Sequence, residues 1–143
     1  MDSDARRVPW AVGVAIVIGV VAFSWPLFLR PDSGMSATQA PIMFAIVLPV
    51  VLAIVLSEVA GGRMDAKVLA MLGVLAAVGT ILRPLSAGTA GFELVFFIMI
   101  LAGRVFGAGF GFTLGAITLF TSALITSGVG PWLPYQMLAA GFV

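Results

Sequence analysis

Between Arg7 and Arg104 the charged residues of this chain stand at Arg30, Asp32, Glu58, Arg63, Asp65, Lys67, Arg83 and Glu93, and apolar stretches fill the intervals. That rhythm predicts helices that cross a bilayer: each span needs about 20 apolar residues, and the links between spans keep their charges in water. The first run, Trp10 to Leu29, reaches about 30 Å as a helix, one hydrocarbon core. Charged residues precede it as in a signal peptide, but its length and the lack of a closing A-x-A site favour a retained span. Pro31 to Ala40 reads as a polar turn. Pro41 to Ala60 is a second span with Pro49 as a kink inside it and Glu58 marking its end. After the charged loop GGRMDAK, residues 61–67, a third span covers Val68 to Leu82, lengthened if Ala66 and a snorkelling Lys67 join it.

Arg83 to Gly91 (RPLSAGTAG) reads as a loop able to cover a site, because it joins Pro, Gly, Ser and Thr without an apolar run. The fourth run, Leu94 to Gly103, is short at about 15 Å, so the flanking Glu93 and Arg104 snorkel or lie at membrane depth. Glycines at 103, 107, 109, 111 and 115 oppose one uninterrupted helix, since each costs about 1 kcal/mol against alanine in a water-exposed helix interior. A tight helix-turn-helix follows, with a fifth span over Phe112 to Thr126 closed by SGVGPWLP, Ser127 to Pro134. A sixth run, Leu133 to Val143, offers about 17 Å, too little to cross. The expected fold is an all-α, polytopic transmembrane bundle of about six helices, the last truncated. Residues 1–60 supply two N-terminal transmembrane helices, and residues 61–143 a helical core, C-terminally incomplete.

Composition narrows the function. With 62% hydrophobic and 9% charged residues and a mean hydropathy of +1.21, the chain carries far fewer charges than the roughly one quarter usual in soluble domains. A net charge of +1 offers no basic face for nucleic acid. The absence of both Cys and His removes disulfides, thiolate nucleophiles, imidazole bases and the commonest zinc ligands. Neither an enzyme, a bound metal nor a cofactor is expected. Lys and Arg in short links set the orientation. With the N-terminus cytoplasmic, Arg6, Arg7, Arg63, Lys67 and Arg104 lie inside and Arg30 and Arg83 outside, which predicts a multi-pass protein of the cell membrane whose loops 83–91 and 127–134 face outward.

Small and polar residues at helical spacing mark the candidate surfaces. Ala66, Ala70, Gly73, Ala77 and Thr80 fall within one narrow face of the third span, and such stripes let a second helix backbone approach in lipid. Two readings are open: packing within the chain, or docking of a separate subunit. On the fifth span, Gly111, Gly115, Thr118, Ser122 and Thr126 share a face whose hydroxyls either bond carbonyls of their own helix or line a pocket. Trp132, Tyr135 and Gln136 add aromatic faces and an amide that suit a flat organic ligand, or else form an interfacial belt. Glu93, followed by Leu94, Phe96 and Phe97, is a ligand-contact candidate, whereas Arg104 snorkels to the cytoplasmic surface.

The stretch from Lys67 to Val143 resembles the substrate-binding S components of energy-coupling factor (ECF) transporters. It does so through KVLAMLGVLAAVGTILRPL, through the helix, glycine turn and helix of FELVFFIMILAGRVFGAGFGFTLGAITLF, and through PYQMLAAGFV, a helix opening after a proline. The resemblance implies a membrane-embedded subunit that binds a vitamin or related small organic molecule near the outer surface. ATP hydrolysis comes from partner subunits, reached through a transmembrane coupling subunit. It implies a coupling face at Ala66, Ala70, Gly73 and Ala77, and an outer loop that includes Arg83 and Thr89. Two spans before the core depart from the family's six-helix plan. Substrate contacts are then expected from Glu93, Phe97, Thr118, Ser122, Trp132, Tyr135 and Gln136. The alternatives are a structural or assembly membrane subunit without a small-molecule ligand, or a membrane enzyme resting on Glu93 and Arg83.

Overall fold

A computed structural model describes residues 10–24, 36–62, 64–86 and 94–143. Among these residues the chain is entirely helical: α1 (Trp10–Ser24), α2 (Ser36–Ala60), α3 (Ala66–Ser86), α4 (Leu94–Phe106), α5 (Ala108–Ile125) and α6 (Leu133–Gly141). Helix is the form in which so apolar a chain meets every backbone donor and acceptor within one segment. Two of the helices, α3 over Ala66–Leu85 and α5 over Ala108–Ile125, are long and apolar enough to cross a membrane, while α1, α4 and the apolar part of α2 are shorter.

Local chemistry sets the ends. Asp65 caps α3: its Oδ1 accepts the Val68 N–H at 2.8 Å and its carbonyl accepts the Leu69 N–H at 2.9 Å. A single residue, Gly107 at φ 98°, separates α4 from α5, a backbone conformation that side chains disfavour. At the other end of α5, Ser127 turns left-handed at φ 54° and the Gly128 N–H bonds the Ala123 carbonyl at 2.8 Å, a Schellman stop. Pro134 sits in the first turn of α6, where its missing N–H costs no helical bond.

Several boundaries differ from the sequence expectation. Ala66 and Lys67 do join α3, and so do Arg83 and Pro84, because a proline in a last turn forfeits only one hydrogen bond and the helix runs on to Ser86. Arg83 is therefore a helical residue and not part of a loop. The α2 helix begins before Pro41, at Ser36, and holds both Pro41 and Pro49. Glu58 is buried within α2 and has a partner. The α4 helix continues to Phe106 and carries Arg104 in its last turn, near the negative end of the helix dipole. The fifth helix starts at Ala108, four residues before the expected Phe112, since one glycine suffices for the turn.

The α5 helix is the axis of the fold and touches each of the other five. Of its 18 residues 61% are buried, against 22% in the corresponding stretch of α3. Glycine makes the approaches possible. A Cβ on Gly111 would lie 2.8 Å from the Gly103 Cα, and one on Gly115 would overlap the Ala140 carbonyl of α6. Phe112, Leu114, Met99, Leu133, Met137 and Leu138 fill the space around these crossings with side chains that solvent does not reach. The α3 and α5 helices run parallel in register, since Gly79 meets Thr118 and, one turn on, Arg83 meets Ser122. Antiparallel to both, α6 places Ala140 at Gly115 and Gln136 across Arg83 from Ser122. Lys67 and Arg104 thus lie toward one end of the bundle and Arg83 toward the other.

Candidate functional site

Three of the polar groups buried among the described residues, Thr80, Thr118 and Ser122, lie toward the Arg83 end, while Thr113 stands near the start of α5 and Glu58 on α2. Arg83 is half-buried, and its guanidinium donates through Nη1 to Ser122 Oγ and through Nη2 to Gln136 Oε1, both at 3.3 Å. One side chain therefore ties α3 to α5 and to α6. Ser122 is itself buried, and its carbonyl accepts from both the N–H and the hydroxyl of Thr126, at 2.9 and 2.8 Å.

One turn deeper lie two hydroxyls that nothing satisfies. Thr80 Oγ1 on α3 and Thr118 Oγ1 on α5 are buried without a hydrogen-bond partner, as is the Tyr135 hydroxyl on α6. Gly79 opens the room that Thr118 occupies: a Cβ there would sit 2.9 Å from Thr118 Cγ2 and 3.3 Å from its Oγ1. A buried unpaired hydroxyl costs about 1–3 kcal/mol, so the two that lie one turn from Arg83 and Ser122 are expensive as packing alone. The Tyr135 ring meets Phe23 of α1 edge-on, with centroids 6.0 Å apart.

Of the candidate residues, Ser122 and Gln136 are joined by Arg83, with Thr118 one turn from Ser122 on α5, while the Tyr135 ring meets Phe23 of α1. Phe97 does not enter the cluster; its side chain is 66% exposed on the outer side of α4. Trp132 is exposed at the N-cap of α6 with its ring over Gly130. Glu93 and Thr89 lie outside the described residues. Thr80 is the member that sequence reasoning placed elsewhere, as one small residue in a stripe. Its signal was the spacing of three to Arg83, which sets both on adjacent turns once the helix is allowed to continue through Pro84.

Hydroxyls elsewhere on α5 bond their own helix, Thr113 to the Gly109 carbonyl and Thr126 to that of Ser122, each at 2.8 Å. On the candidate α5 face, Thr126 therefore bonds its own helix, whereas Ser122 accepts from Arg83 and Thr118 is unpaired. The α3 stripe behaves otherwise. Ala66, Ala70, Gly73 and Ala77 are all exposed, and a Cβ on Gly73 would meet nothing within 4 Å, so among the described residues this face packs against no other helix. Thr80, at its edge, turns toward the buried side with Leu72, Ala76 and Gly79.

A cleft of about 820 Å³ lies between α1, the α4–α5 turn and the end of α6. Aliphatic and aromatic groups such as Ile16, Val20, Ile100 and Phe112 line it, with Arg104 at one end, and none of the predicted substrate contacts reaches it. Its chemistry suits hydrocarbon and lacks the hydroxyl and amide groups of the Arg83 cluster. Comparison with known proteins adds no relative: no protein-family model, no curated protein and no solved structure matches this chain.

Proposed function

We propose that this chain is a multi-pass protein of the cell membrane that serves as the substrate-binding subunit of an ECF-type uptake transporter, for a vitamin or related small organic molecule, with ATP hydrolysis supplied by partner subunits. The observation that carries the reading is the Arg83 cluster: an ion bonded to a serine and an amide, with two unpaired hydroxyls one turn away, assembled from α3, α5 and α6 inside a largely apolar bundle. A half-buried ionisable group in an apolar bundle is expensive unless function keeps it there.

The membrane setting draws on the outer surface. Trp10, Val17, Val21, Leu56, Ile81, Phe97, Val105 and Ile125 are all more than half exposed, an apolar cover that water-soluble monomers avoid. The charge pattern puts Lys67 and Arg104 in the cytoplasm and Arg83 near the outer face, where an uptake site belongs. The exposed Ala66, Ala70, Gly73 and Ala77 leave a smooth helical face for a coupling subunit. That same face favours a second reading, an assembly subunit that binds partners and no small molecule.

Co-expression with ECF coupling and ATPase subunits tests the proposal. The expected result is a stable complex after detergent extraction that Ala70→Leu with Ala77→Leu abolishes. Failure to associate under any condition overturns it. Association without uptake of any vitamin into vesicles holding the complex favours the assembly reading.

A further inference from the structure

We infer that the molecule held at the Arg83 cluster carries a single carboxylate, seated on the Arg83 guanidinium, and a compact polar body reaching Thr80 and Thr118; this rests on the substrate-binding reading above. A guanidinium remains charged at any physiological pH. Both of its acceptors, Ser122 Oγ and Gln136 Oε1, are neutral, and among the described residues Arg83 has no acidic partner. At 3.3 Å each, these bonds are longer than the roughly 2.7–2.9 Å of charge-assisted bonds to a carboxylate. They engage two of the five N–H donors of the side chain. Among the described residues the fork is held in place from two sides, and no acidic side chain takes up its remaining donors or its charge. That arrangement presents a cation to an incoming planar anion, which accepts two parallel N–H groups.

The charge count selects the anion. One arginine balances one negative charge, so a carboxylate is matched, whereas a phosphate monoester would bring a second charge into an apolar bundle. The hydroxyls select the source. Thr80 and Thr118 stand one turn further into the bundle than Arg83 and Ser122, about 5 Å deeper. A lipid anchored on Arg83 by its headgroup would lay hydrocarbon against these unpaired hydroxyls and leave them unsatisfied. A solute with polar atoms on its body would satisfy them.

The test uses the full chain in nanodiscs of phosphatidylcholine alone, dialysed against a deproteinised bacterial metabolite extract, with retained solutes identified by mass spectrometry. We expect the wild type to enrich one or a few carboxylic acids. Arg83→Gln should weaken their retention by about 10- to 100-fold, the range for a hydrogen bond to a charged group, and Arg83→Lys should recover part of it. The primary amide of each retained acid should bind the wild type at least about 10-fold more weakly, a comparison that needs no variant to fold. Retention of only neutral or cationic solutes, equal binding of acid and amide, or retention of a phospholipid in place of a solute overturns the inference and leaves the subunit reading standing. A wild type that enriches nothing overturns both.

Discussion

The α3 and α5 helices are the two long apolar helices of this chain, they run parallel, and each carries a stripe of small residues; yet α5 turns its stripe into the bundle and α3 turns most of its own away. On α5 the stripe is consumed by contact. Gly111 and Gly115 let α4 and α6 approach to within a hydrogen's width of their backbones, and Ser122 takes the Arg83 bond. On α3 the stripe is exposed among the described residues until Thr80, which is buried. Equal hydropathy and equal spacing thus serve opposite purposes, and what separates them is which other helices the links of the chain can bring alongside.

The comparison breaks first at Gly115. Its replacement by Leu should cost about 3 kcal/mol or more, because the obstacle is the Ala140 backbone, which cannot rotate aside. Gly73→Leu, at the matching kind of position on α3, should leave the unfolding midpoint in detergent nearly unchanged, and equal losses at the two sites would sink the distinction. Gly111→Ala is milder, at about 1–2 kcal/mol, since a Cβ 2.8 Å from the Gly103 Cα can be absorbed in part by a shift of α4. Gly73→Ala should stabilise by up to about 1 kcal/mol through helix propensity alone, visible as a small rise in melting temperature. Smallest of all, Ala70→Leu with Ala77→Leu should move stability by less than about 0.5 kcal/mol while removing partner association, so a large loss of stability there would mean that the face is packed after all.

Much of this fold was legible in the pattern of charges and apolar runs, and the reason is physical: a backbone surrounded by apolar side chains has few ways to satisfy itself other than a helix. The break among the glycines was legible too, because five of them in thirteen residues leave the helix weak, although nothing in the spacing singles out Gly107 from its neighbours. Arg83 was misread. Pro84 suggested the start of a loop, but a proline removes only its own donor, and the helix runs on through Leu85 to Ser86. Once Arg83 is helical, it faces Ser122 and Gln136, two residues already suspected from their chemistry but distant from it by 39 and 53 positions in the chain. Pairings of that range depend on how helices dock, and no local periodicity encodes them. The exposure of Phe97 and Trp132 escaped notice for the same cause: an aromatic ring beside a suspected site can face either way around its helix.

Gly107 has a consequence for the order in which the chain assembles. It is the shortest link between neighbouring helices, and it brings Gly103 and Gly111 together across a single turn, so the pairing of α4 with α5 closes a loop at minimal entropic cost. Contacts of such low sequence separation form fastest, which makes this hairpin the natural seed onto which α6, and then the more distant α3 and α1, can add. A side chain at position 107 would strain the left-handed backbone there, and its signature would be slow assembly as much as a weakened final state.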